Sequence, residues 1–175
     1  MSRVREVAGG GRAVEVIPER VAAWFDGFAA RNGGVTRTVL ADRQVRVVAT
    51  DGTTATVDLP FEPLGQRSEH DGLEVSALVT YAQRPRRLGL LLARKGAHSV
   101  GVADGARVIR SRTDRHHVQG RTAAGGWSQQ RFARRREQQG RQGLARAADD
   151  VLEVLGGELA TLDAVVLGGD RRALD

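Results

Sequence analysis

Between Leu88 and Gly169 the chain reads as three strands, a long helix and a fourth strand, and that order restricts the fold most. "LGLLLARKG", "HSVGVADG" and "ARVIRSRTDRHHV" are three consecutive strands with turns at Lys95-Gly96 and Asp104-Gly105. The first is apolar without alternation, as a strand covered on both faces must be, so it belongs at the centre of a sheet. Ser128 is an N-cap candidate for one helix running from Gln129 to about Leu155. Its second half, "LARAADDVLEVL", puts Leu144, Ala148, Val151, Leu152 and Leu155 at helical spacing, a stripe expected to pack on the sheet. The strand "LDAVVLGG" follows, and "DRRALD" reads as the first turn of a further helix, as expected of a truncated C-terminus or of an unusually short member of its family. Strands and a helix alternating in this way read as an α/β domain.

The N-terminal part is an extension to this core. "RAVEVIP" alternates like a short strand. Pro18 suits a first helical position, and Val21, Trp24, Phe25 and Phe28 form one stripe before Gly33 and Gly34 end the helix. "VTRTVLA", "QVRVVAT" and "TTATVDLPF" are β-branched segments forming a meander, the last two joined by Asp51-Gly52. "FEPLGQRSEHDG" reads as a loop and as the boundary, giving an N-terminal helix and β-meander over 1–72 and a second domain over 73–175, or one continuous domain. "AGGGR" at Ala8–Arg12 lacks the preceding strand of a dinucleotide fingerprint and reads as a flexible arm.

Charge is unevenly placed. The formal net charge is +6, yet Arg107 to Arg146 holds 11 Arg against Asp114 and Glu137, a local excess of +9. The remainder is slightly acidic, so the positive field sits on one segment, as on a surface that faces phosphates. The chain has no cysteine, which excludes disulfides, thiolate metal sites and a Cys nucleophile. No apolar run approaches a membrane span and the N-terminus has no signal-peptide core, so a cytoplasmic, monomeric protein with no membrane partner is expected.

Gly120 to Gln142, "GRTAAGGWSQQRFARRREQQGRQ", joins a flexible half with a lone Trp to a half rich in Arg and Gln. The order strand, Gly-Gly loop, then Ser-x-x-Arg-Phe-Ala-Arg-x-Arg resembles the central domain of the eukaryotic and archaeal class-one peptide release factor. The matching residues are Gly125, Gly126, Ser128, Arg131, Phe132, Ala133, Arg134 and Arg136. Trp127 stands where that family has the Gln of its Gly-Gly-Gln loop, and Gln129 and Gln130 follow Ser128. In this the chain is similar to bacterial members of the Vms-like release-factor family, down to "GGWSQQRF". The resemblance covers roughly Leu88 to Gly169. It implies an RNase H-like α/β fold, a mixed central sheet with flanking helices, and hydrolysis of peptidyl-tRNA on stalled large ribosomal subunits, with ribosomal RNA and the tRNA acceptor end as partners and no cofactor.

The chemistry that the resemblance implies suits these residue types. Hydrolysis of the peptidyl-tRNA ester needs a placed water and a stabilised oxyanion. An amide side chain is no general base, so Gln129 or Gln130 would act by positioning, with Gly125 and Gly126 allowing close approach of the backbone. Arg121, Trp127, Ser128, Arg131, Arg134, Arg135, Arg136 and Arg141 are the nucleic-acid-binding candidates, Trp127 either stacking on a base or anchoring the loop. The loop Gly120–Trp127 is expected to be poorly ordered without RNA, and the helix well packed only after about Gln142. His116 and His117 face opposite sides of a strand and cannot share a metal. Asp149 and Asp150, the nuclease-like pair, read as a solvated helix face, and no metal is expected. A non-catalytic ribosome- or tRNA-binding module is the alternative, and a tRNA-cleaving nuclease a third reading.

Overall fold

The computed structural model describes residues 4–7, 9–94, 96–115 and 142–170. The chain forms two compact units, Met1–Arg84 and Pro85–Asp175.

The first unit opens with a hairpin. β1 (Val4–Val7) pairs antiparallel with β2 (Gly11–Val14), Val4 opposite Val14. The glycines expected to make a flexible arm are the turn of this hairpin, with Gly9 and Gly10 at φ 93° and 83°. A 3-10 turn at Pro18–Arg20 leads into α1 (Val21–Arg31), whose Phe25 and Phe28 are buried and whose Val21 and Trp24 pack beside them, as the stripe predicts. The Trp24 ring stacks on Phe28 at 5.8 Å and meets Phe25 edge-on at 4.9 Å. Gly33, at φ 73°, provides the left-handed residue that stops the helix, and Asn32 Nδ2 donates to Phe28 O at 2.7 Å.

β3 (Val35–Ala41), β4 (Gln44–Ala49), β5 (Thr54–Asp58) and β6 (Ser68–Asp71) form an antiparallel sheet in the order β5-β4-β3-β6. Alternation places Leu40, Val45, Val47, Ala49 and Ala55 on the face that shares a core with Phe25 and Phe28. β6 lies inside the stretch expected to be a loop. Its "SEHD" carries no apolar signal, and polar contacts hold its surroundings instead: the buried Thr38 hydroxyl donates to Gly72 O at 2.7 Å and accepts from Glu74 N–H at 3.1 Å. α2 (Ser76–Gln83) then adds Leu78 to the same core, so the first unit runs on to Arg84 rather than stopping at residue 72. Arg84 is extended, at φ −60° and ψ 122°, because Pro85 disfavours a helical residue before it.

The second unit is a mixed sheet crossed by a helix. β7 (Arg87–Arg94), β8 (Ala97–Asp104), β9 (Arg107–Arg115) and β10 (Ala164–Gly169) lie in the order β10-β7-β8-β9. β10 runs parallel to β7, and the other two pairs are antiparallel. β7 is interior to the sheet, as its apolar run predicts, and the sheet is mixed, as the resemblance implies. Residues 142–155 are helical and form α3. Val154 and Leu155, with Val151 beside them, pack on Val100 and Val102 of β8, with Leu91 and Leu162 at the margin. The stripe expected from sequence is rotated: Leu144 and Leu152 are 59% and 70% exposed, and Ala148 is exposed too. Asp150 takes a place on the buried face instead. The cause is polar, since two strands of the sheet each hold one oxygen of this carboxylate.

Candidate functional site

All the candidate residues of the Gly-Gly segment, Arg121, Gly125, Gly126, Trp127, Ser128, Gln129, Gln130, Arg131, Arg134, Arg135, Arg136 and Arg141, lie outside the described residues. So do His116, His117, the expected loop Gly120–Trp127 and the first half of the predicted helix. The structure does place the two elements that bracket them.

β9 ends at Arg115, and the helical residues resume at 142. These points lie at one end of the sheet. Asp114, next to last in β9, stands opposite His98 of β8 and lies 3.9 Å from Arg146 in the first described turns of α3. Deeper in, His98 Nε2–H donates to Asp150 Oδ2 at 2.7 Å, and Arg112 Nε donates to Asp150 Oδ1 at 3.0 Å. Arg112 also donates to Glu153. Asp150 thus has both oxygens engaged, one by β8 and one by β9, and it and His98 are 7% and 3% exposed. A carboxylate taken out of water must be paired and hydrogen-bonded, and this requirement turns α3 so that Asp150 faces the sheet.

That contradicts the reading of Asp150 as part of a solvated face; Asp149 is exposed as expected. His98 and Asp150 do not stand out as a pair in the sequence. A signal exists, because Asp150 lies three residues after Ala147 and four before Val154, on the face that carries Val151 and Leu155. As a chemical device the pair is closed. It is too buried to meet a large ester, and it orients a helix rather than a substrate. Among the described residues no three His, Asp or Glu side chains are grouped to hold a metal ion, and no helix is long and apolar enough to cross a membrane.

The opposite end of the sheet is tied separately. Arg87, at the start of β7, pairs with Glu158 at 2.6 Å and Asp104 at 3.3 Å, and its N–H donates to Asp163 Oδ2 at 2.7 Å. The hydrogen bond from Arg87 holds the Glu158 carboxyl below the usual glutamate range.

By its family match the chain is of the release-factor class. The chain belongs to the Actinobacteria/chloroflexi VLRF1 release factor family, whose model matches residues 86–175. Among solved structures, the crystal structure of the archaeal translation termination factor aRF1 aligns over 90% of this chain at 10% identity with a TM-score of 0.38. The chain spans 59% of that relative's length. No curated protein matches the sequence.

Proposed function

We propose that this chain is a peptidyl-tRNA hydrolase of ribosome rescue, cleaving the ester between nascent peptide and tRNA on stalled large ribosomal subunits. The observation that carries the proposal is the family match, which runs across the whole of "GGWSQQRF" and the arginines after it. The bracketing elements support it: β9 ends and α3 resumes at one end of the sheet, where Asp114, His98, Asp150 and Arg112 tie the two elements together.

In this reading Gly125 and Gly126 bring backbone close to the acceptor end, and Gln129 or Gln130 orients water and the developing oxyanion through its amide. Trp127 and Ser128, with Arg121, Arg131, Arg134, Arg135, Arg136 and Arg141, meet RNA, the arginines contacting phosphate. The reaction is cytoplasmic, needs no cofactor and is performed by a monomer.

Gln129→Ala is expected to lose about 3 kcal/mol of transition-state stabilisation, on the order of a hundredfold in peptide release, with ribosome binding retained. Gln130→Ala is expected to lose less. The assay scores free peptide and intact deacylated tRNA from stalled large subunits. Full release by the Gln129→Ala, Gln130→Ala double variant would sink the mechanism. Binding without release by the native chain would instead favour a non-catalytic module, a reading kept open by Trp127 at the position of the family Gln. Shortened tRNA would point to a nuclease.

A further inference from the structure

Register places a six-residue grid on the sheet face opposite the one that contacts α3, at the end where β9 stops. Arg94, Ala97 and Arg115 are cross-strand neighbours in one row, and Leu92, Ser99 and Thr113 form the next. Successive residues of a strand alternate between faces, so both rows point to the same side. They line, with Ala93 and Gly169, an open depression of about 250 Å³.

Its chemistry is uneven in a useful way. Arg94 and Arg115 are exposed, stand on either side of Ala97, and have no carboxylate partner among the described residues. Their Cα atoms are two strand spacings apart, about 10 Å, within reach of one anion for two long side chains. Among the described residues the lining contains no acid; Asp170 follows Gly169 in the chain and is not part of it. Below the arginines, Ser99 and Thr113 share a hydrogen bond at 2.8 Å, and Leu92 is 50% exposed. Gly169, at φ 112°, keeps the corner open, since a Cβ there would fall 1.9 Å from Ala93 O. A solvated strand end accounts for one unpaired arginine. It does not account for two aimed at one depression with hydroxyls and an apolar patch behind them.

We propose that this depression binds single-stranded RNA, Arg94 and Arg115 gripping phosphate, Ser99 and Thr113 meeting the ribose, and Leu92 lying under a base or sugar. Guanidinium forks suit phosphate oxygens, and hydroxyls can donate to or accept from a 2′-OH. The choice of RNA over an acidic polypeptide rests on the release-factor reading above, and it assigns a second RNA-binding area beside the Gly-Gly segment.

The test uses the full chain and a short single-stranded oligoribonucleotide. In the native protein, titration should shift the amide resonances of Leu92, Arg94, Ala97, Ser99 and Thr113. The Arg94→Ala, Arg115→Ala double variant, its fold checked by circular dichroism, should bind about tenfold weaker or worse per arginine removed. Its salt dependence should flatten by about 0.7 in log K against log salt for each phosphate no longer neutralised. Absent shifts at these amides, or unchanged affinity and slope in the variant, overturn the proposal. Equal binding of polyglutamate at the same amides overturns the RNA assignment in favour of an acidic polypeptide. Peptide release by the native chain separates the two readings. No release with the shifts present rejects the hydrolase and leaves this site, whereas release with no shifts rejects this site alone.

Discussion

Asp150 shows how one residue can decide the orientation of a helix. With one oxygen bound by His98 and the other by Arg112, it fixes both the rotation and the height of α3 on the sheet. Asp150→Ala would leave His98 and Arg112 without their common acceptor. The expected loss is about 3 kcal/mol in the unfolding free energy of the second unit, as for other broken buried pairs. Arg112→Ala is expected to cost about 1 kcal/mol or less, because its head is 48% exposed. Denaturant midpoints of the two variants, compared with the native chain, measure this difference; a native-like midpoint for Asp150→Ala would mean that apolar packing alone sets the helix. Sequence patterning hides the pair because adjacent aspartates on a helix look alike, and only the partner strands tell them apart.

Elements are legible where local pattern and tertiary need agree. The α1 stripe, the meander β3 to β5 and the four strands of the second unit all announce themselves by periodicity and Gly turns. β6 does not, since its place is set by the β3 ladder and by Thr38 rather than by apolar content. The stripe of α3 is misplaced by pattern alone because a polar residue takes a core position. The candidate site is legible only as a motif; its bracketing by β9 and α3 requires the sheet register. At this scale Glu158 gives a pH prediction. Its carboxyl is held below the ordinary glutamate value of about 4.3 by the hydrogen bond from Arg87. The contribution is therefore complete above that value and is lost as pH falls through the depressed one. Arg87→Ala should abolish this part of the acid dependence, as read from thermal midpoints taken at falling pH.

At the scale of the whole molecule, the described residues form two cores with no shared residue. One is built on Phe25, Phe28, Leu40, Val45 and Val47; among the described residues the other has Val100, Val102, Val154 and Leu155 at its centre. Among the described residues the first holds two buried aromatic rings and four strands closed over by α1 and α2, so more of the described apolar surface leaves water there. Native-state hydrogen exchange is expected to show β3 and β4 amides outlasting those of β7 and β8. Uniform protection across both units would contradict this division.

β9 is the edge of its sheet among the described residues, and its exposed "RVIRSRTDR" sets Val108 and Ile109 among Arg107, Arg110, Arg112 and Arg115. The register skips Ile109 at a bulge, which bends the edge away from a flat template. Two molecules meeting along this edge would have to bring their arginines together, so the strand that frames the segment also resists fibre-like growth. Replacing Arg107 and Arg110 by Val should yield a species whose light scattering rises steeply with concentration. In the native chain, added salt should weaken the same barrier by screening.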